Sequence, residues 1–68
     1  MRFEQYEVWA LRNGTWELLG WFRDFDVANA VARARHSSGV RLVHAVFEDG
    51  REPRRDTLAE IGATRAEP

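Results

Sequence analysis

The side chains that could carry acid–base chemistry are two histidines, one tyrosine and several carboxylates, because the chain has no cysteine and no lysine. A nucleophile needs an activating base beside it. His44 lies within an apolar run and could act as a general base, although an ordinary surface or interface histidine is the simpler interpretation. His36 falls at the end of a predicted helix, where a cation suits the helix dipole. We expect no catalytic residue and a non-enzymatic protein.

Metal and cofactor sites are also poorly supported. His36 and His44 are the only imidazoles, and no carboxylate is spaced to join them in a metal site. Glu7 and Glu17 would lie near each other across a hairpin, as paired acid–base carboxylates do, but solvated strand glutamates are the simpler interpretation. Asn13-Gly14 and Asp49-Gly50 are isolated turn dipeptides and form no phosphate-binding loop. We expect no metal and no cofactor.

The order of predicted elements is β-β-α-β. Residues 3–11 and 15–22 are rich in aromatic and β-branched residues and flank Asn13-Gly14, a strong hairpin signal. A helix follows, with Asp24 as its N-cap and Asp26 in its first turn, and it ends before Gly39. Its predicted apolar stripe has the i, i+3, i+4, i+7 spacing of Val27, Ala30, Val31 and Ala34. Residues 40–48 form the third strand.

These elements predict an α+β fold with two layers. A right-handed crossover gives a three-stranded mixed sheet of order 2-1-3, with one helix on one face. The domain would span residues 1–50. Residues 51–68 form a polar C-terminal tail that is partly disordered or holds one short helix, since residues 57–60 have the spacing of a capping box.

The hairpin register determines which side chains are buried. A two-residue loop would place Glu17 among the core side chains, whereas a three-residue loop, Arg12 to Gly14, gives a face without charge. We therefore predict the three-residue loop, with Trp16 and Phe22 in the core. The charge-free face has seven residues from the first two strands: Tyr6, Val8, Ala10, Trp16, Leu18, Gly20 and Phe22. Val43, Ala45 and Phe47 would continue it.

The opposite face is unusually apolar for a surface expected to be solvated. An exposed patch of this kind usually marks an interaction site. We predict that it is covered by a second copy of the chain, by the tail through Leu58 and Ile61, or by another protein partner; a homodimer is the leading hypothesis. The predicted interface residues are Trp9, Leu11, Leu19, Trp21, Leu42, His44 and Val46.

Two further functions use the same face. Trp9, Trp21 and His44 could stack on the bases of a single-stranded nucleic acid, with Arg12, Arg23 and Arg41 on its phosphates. Two glutamates on that face and a net charge of −1 make nucleic acid an unfavoured partner. The other alternative is a ligand pocket that forms between protomers.

Size and composition support oligomerisation. A 68-residue chain builds a small core, and the absence of cysteine removes the disulfides that stabilise many small domains. No apolar run approaches the roughly 18 residues of a membrane span, and the first residues do not resemble a signal peptide. We expect a cytoplasmic protein without a membrane segment.

The pattern Tyr-x-Val-x-Ala-x-x-x-Gly-x-Trp-x-Leu, at Tyr6, Val8, Ala10, Gly14, Trp16 and Leu18, resembles a group of short uncharacterised bacterial proteins. The resemblance covers residues 6–48 and includes the Ala/Arg-rich helix and the Val-rich strand. It implies the β-β-α-β fold and assigns no activity or site.

Overall fold

A computed structural model shows four strands and one helix, and it describes residues 1–35 and 39–62. The elements are β1 (Arg2–Arg12), β2 (Thr15–Phe22), α1 (Phe25–Ala34), β3 (Val40–Glu48) and β4 (Arg54–Ile61). The strands form one sheet in the order β2-β1-β3-β4, and every neighbouring pair is antiparallel. No helix among the described residues is long and apolar enough to cross a membrane.

The predicted three-stranded mixed sheet of order 2-1-3 is therefore wrong, although the α+β class holds. The first three strands have the predicted neighbours, but the sheet continues past residue 50. Residues 54–61 form β4 where we expected a polar tail or a short helix. Pairing with β3 accounts for this, because it gives β4 a backbone ladder over seven residue pairs, from Val40–Ile61 to Val46–Arg54, whereas an isolated helical turn is marginal in water.

The β1–β2 hairpin has a two-residue loop. Asn13 and Gly14 both have positive φ, 52° and 79°, as a type I′ turn requires, and Arg12 pairs with Thr15. The predicted three-residue loop is wrong. A β-bulge follows, since Trp9 is opposite Leu18 while Val8 is opposite Gly20, which leaves Leu19 as the extra residue. It restores the predicted facing of Gly20 and Phe22, which lie on the same face as Val8 and Tyr6, but not the predicted pairing.

Helix α1 begins as predicted. Asp24 is the N-cap, and its Oδ1 accepts a hydrogen bond of 2.8 Å from the backbone N–H of Asp26. The predicted apolar stripe is rotated on the helix, however. Ala28 and Ala32 are fully buried against the sheet, whereas Val27 is 47% exposed. Small residues on this face let the helix approach the sheet closely.

The core lies between α1 and one face of the sheet. Its buried cluster joins the two helical alanines to Val8, Val40 and Leu42. Six partly buried side chains pack against this cluster: Tyr6, Leu19, Phe22, Val31, Ala59 and Ile61. Two of these come from β4, so the fourth strand completes the core.

A second bulge lies in β4. Leu42 pairs with Ala59 while Val43 pairs with Thr57, so Leu58 is the extra residue and its side chain is 48% exposed. The two edge strands of the sheet thus each contain a bulge. Bulges at sheet edges hinder the addition of further strands.

The β4 register makes a direct prediction for two neighbouring residues. Ala59→Asp places a carboxylate against the core and should lower the free energy of unfolding by at least about 1 kcal/mol. Leu58→Asp changes an exposed bulge residue and should stay within about 0.5 kcal/mol of the wild type. Urea unfolding followed by tryptophan fluorescence measures both. Equal effects at the two positions would contradict the register.

Candidate protein interface

We call the sheet surface opposite α1 the open face. Side chains alternate between the two faces of a strand, so the register defines its members. From β1 and β2 it includes Phe3, Gln5, Glu7, Trp9, Leu11, Trp16, Leu18 and Trp21. From β3 and β4 it includes Arg41, Val43, Ala45, Phe47, Arg55, Thr57 and Glu60.

A buried carboxylate lies at the middle of the open face. Glu7 is 1% exposed, and its Oε1 accepts hydrogen bonds of 2.9 Å from Trp9 Nε1 and from Arg55 Nε. Its Oε2 accepts from Gln5 Nε2 at 2.9 Å and from Arg55 Nη2 at 3.3 Å. Four donors thus satisfy the charge, as a buried carboxylate requires. The network connects β1 to β4 across β3 and fixes the positions of Trp9 and Arg55.

The same network sets the ionisation of Glu7. Burial alone raises the pKa of a carboxyl group, but the hydrogen bonds from Arg55, Gln5 and Trp9 together outweigh that effect and hold the pKa of Glu7 below its usual value. Glu7 is therefore ionised at neutral pH, and its charge is compensated within the face.

A cleft lies beside this network, centred on β3. Val43 forms part of its lining, and Trp9, Trp16, Arg41, Arg55 and Thr57 complete it. Its volume is about 260 Å³. The ring of Trp16 crosses from β2 toward β3, where the guanidinium of Arg41 lies 4.0 Å from its centroid in a cation–π contact. The cleft thus has aromatic, aliphatic and cationic walls.

A ridge of exposed apolar side chains lies to one side of the cleft, on β2. Trp21 is 56% exposed and Leu18 is 45% exposed, although both belong to a strand in the sheet. At the far end of the face Phe3 is 46% exposed and stacks on Phe47 with ring centroids 4.8 Å apart. Large apolar side chains clustered on one face mark an interaction surface more often than scattered ones do.

The predicted interface residues divide between the two faces. Trp9, Leu11 and Trp21 lie on the open face, and their role at an interface stays a prediction. Leu19 and Leu42 instead pack in or against the core under α1. His44 and Val46 pair with Tyr6 and Glu4, so they also lie on the helix side. In β3 the two faces are the reverse of those predicted. Val43, Ala45 and Phe47, which were expected in the core, therefore lie on the open face.

Several open-face residues were missed by sequence reasoning. Trp16 was expected in the core, and Leu18 with it, because a three-residue loop was predicted for the β1–β2 hairpin, whereas Arg12 pairs with Thr15 across a two-residue loop. The Asn-Gly dipeptide itself was the available signal, since it favours a two-residue loop and so places Trp16 beside Leu11. The positions of Arg41 and Arg55 depend on the β3 register and on β4, for which the sequence held no clear signal.

The groups considered for chemistry are not brought together. His44 Nε2 lies 2.8 Å from Glu4 Oε1, and its ring centroid lies 5.2 Å from that of Tyr6 with the two planes tilted by 32°, while His36 lies outside the described residues. Glu17 pairs with Ala10 and lies 3.5 Å from Arg12, on the other side of the sheet from Glu7. Within residues 1–35 and 39–62, no group of three or more histidine and carboxylate side chains could hold a metal ion.

Comparisons with known proteins found no matching family model, no matching curated protein and no matching solved structure. A function for this protein must therefore be inferred from the geometry of the open face.

The Glu7 network predicts a particular dependence of stability on pH. A carboxyl group with a lowered pKa in the folded state stabilises the fold above its unfolded pKa, near 4.5, and this stabilisation is lost as the pH falls through the folded value. Glu4, whose pKa is lowered by a hydrogen bond from His44 and by Arg2, contributes in the same direction.

Glu7→Gln should therefore lower the free energy of unfolding by about 2 kcal/mol at pH 7, because one amide oxygen cannot satisfy three donor groups. Below pH 4.5 the difference between variant and wild type should shrink, which urea unfolding at several pH values measures. The Glu4→Gln variant is the control, since it removes an exposed pair. A difference for Glu7→Gln that is constant from pH 7 to pH 3 would contradict the assignment.

Proposed function

We propose that this protein is a small non-enzymatic module that forms a homodimer through the open face. The observation that carries the proposal is the joint exposure of Trp21, Leu18 and Phe3 on a sheet face that α1 does not cover. Full burial of an aromatic side chain covers about 150–250 Å², so covering the half-exposed Trp21 and Phe3 together with Leu18 would contribute a substantial part of the roughly 800 Å² per partner of a stable interface.

The charges of the open face favour an apolar protein partner over nucleic acid. Arg55 pairs with Glu7, and Arg41 Nε lies 3.1 Å from Glu60 Oε2. Arg12, another candidate for phosphate contact, lies 3.5 Å from Glu17. Binding a phosphate would require these arginines to exchange a carboxylate for it, while the carboxylates would repel the strand. A second copy of the same face meets no such penalty.

The edges of the sheet favour face packing over strand addition. Edge strands β2 and β4 each contain a bulge, and β4 opens with Arg54, Arg55 and Asp56. Bulges and charges are the devices by which proteins prevent their edge strands from pairing. The uncovered aromatic surface has no comparable protection.

The small core gives a physical reason for association. The fully buried apolar side chains are mostly alanine and valine, with Leu42 the largest of them. Domains of this size commonly gain stability from oligomerisation when disulfides and metals are lacking. Dimerisation would bury further apolar surface and couple folding to association.

The double variant Leu18→Glu/Trp21→Glu should be a folded monomer, because it adds two charges to the ridge while removing no buried side chain. The wild type should have the mass of a dimer by light scattering after size exclusion. Phe25→Glu/Val27→Glu is the matched control, since it changes two residues of similar exposure, 41% and 47%, on the helix side; it should remain a dimer. A monomeric wild type at about 100 µM, well above a micromolar Kd, would refute the proposal.

Oligonucleotide binding provides a second test. At 50 mM salt, fluorescence anisotropy with labelled dT20 and U20 should show no binding below about 100 µM protein, since the face is electrically compensated. Tight binding that weakens steeply with added salt would instead support recognition of single-stranded nucleic acid.

A further inference from the structure

We infer that Trp21 of each protomer inserts into the cleft of its partner, so that two identical ridge-and-cleft contacts form the dimer. This inference rests on the proposed function, and it adds the orientation of the two sheets and the residue that anchors them.

The sheet places the ridge and the cleft in one row. Trp21 pairs with Glu7, Glu7 pairs with Val43, and Val43 pairs with Thr57, so these four residues cross β2, β1, β3 and β4 at one level. Trp21 begins the row on one edge strand. Val43 and Thr57, which line the cleft, lie in the other half of the row.

This arrangement is self-complementary under one particular two-fold rotation. The midline of the sheet runs between β1 and β3, because the strand order is β2-β1-β3-β4. A two-fold axis parallel to the strands at this midline, between two face-to-face sheets, lays β2 of each protomer over β4 of the other. Each level of the sheet then meets the same level of the partner. Trp21 consequently lies over the partner's Thr57, and both contacts form at once, as an isologous interface requires.

The chemistry of the cleft suits an indole ring. Val43 and the faces of Trp9 and Trp16 provide an apolar lining, and Arg41 and Arg55 bring guanidinium groups to its rim. Tryptophan is the aromatic side chain that binds cations best over its ring face. The Glu7 carboxylate holds Arg55 in place at 2.9 Å, so the rim is positioned before a partner arrives.

Cross-linking tests the orientation directly, because the chain has no cysteine of its own. Leu18 and Glu60 mark the two edges of the adjacent row, Leu18–Trp9–Arg41–Glu60. A mixture of the Leu18→Cys protein and the Glu60→Cys protein is treated with a bismaleimide that spans about the 10 Å between stacked sheets. The mixed product should exceed either self-linked product at least tenfold.

The cross-link pattern separates this inference from the proposed function. A two-fold axis across the strands lays β2 over β2, and dominant self-linking of the Leu18→Cys protein would overturn the inference while leaving a face-to-face dimer. Absence of all three products from cysteine variants that are dimeric by mass would overturn both proposals, because the face would then not be the interface. A monomeric wild type overturns the proposed function first.

A complementation experiment tests the role of Trp21. Trp21→Ala removes the inserted ring and Thr57→Trp fills the cleft, and each change should weaken self-association at least tenfold. A mixture of the two proteins should regain dimer mass, since the new ring of one protomer occupies the space vacated in the other. Thr57→Trp replaces an exposed side chain, so circular dichroism should show that the fold is kept. Failure of the mixture to associate, with both proteins folded, would refute the insertion.

Discussion

Glu7 holds a buried negative charge in the middle of the open face, and the order of that face depends on how the charge is satisfied. An ion removed from water costs several kcal/mol, which good hydrogen-bond geometry must offset. Donors from three side chains do so, and each is thereby fixed: Trp9 on its own strand, Gln5 beside it, and Arg55 two strands away. The carboxylate therefore positions two walls of the cleft. A surface ordered in advance loses less entropy when a partner binds.

The three predicted strands and the helix could be recognised because their signals are local. Alternating aromatic and β-branched residues, the Asn-Gly turn and the Asp24 cap each act within a few residues. Strand β4 could not be recognised in this way, since its polar residues and its capping-box spacing favour a tail or a short helix locally. Its conformation comes from pairing with β3, reinforced by the contact between Arg41 and Glu60. An edge strand that resists aggregation carries polar residues, and those residues also remove the apolar pattern by which a strand is predicted from sequence.

The faces of the strands were harder to predict than the strands themselves. Charge-free pairing of Tyr6, Val8, Gly20 and Phe22 is present at one end of the hairpin, and the two-residue loop is present at the other. The bulge at Leu19 allows both, and no periodicity argument that assumes one register can find it. Strand β3 is apolar on both of its faces, so its sequence does not show which side meets the helix. For these two reasons Trp16, which was predicted in the core, lies on the open face, and Leu42, which was predicted at the interface, lies in the core.

The bulges also support the open face, rather than a sheet edge, as the proposed surface for association. Open edges propagate without limit, because each added strand presents a new edge, whereas an isologous face-to-face contact closes after two copies. Here the edge strands are interrupted at Leu19 and Leu58, while Leu18 and Trp21, on either side of the β2 bulge, project from the open face. The β2 bulge that hinders strand addition at the edge thus also places Trp21 on the same face as Leu18. Protection against open-ended pairing and the proposed site for a closed dimer therefore depend on the same local distortion of β2.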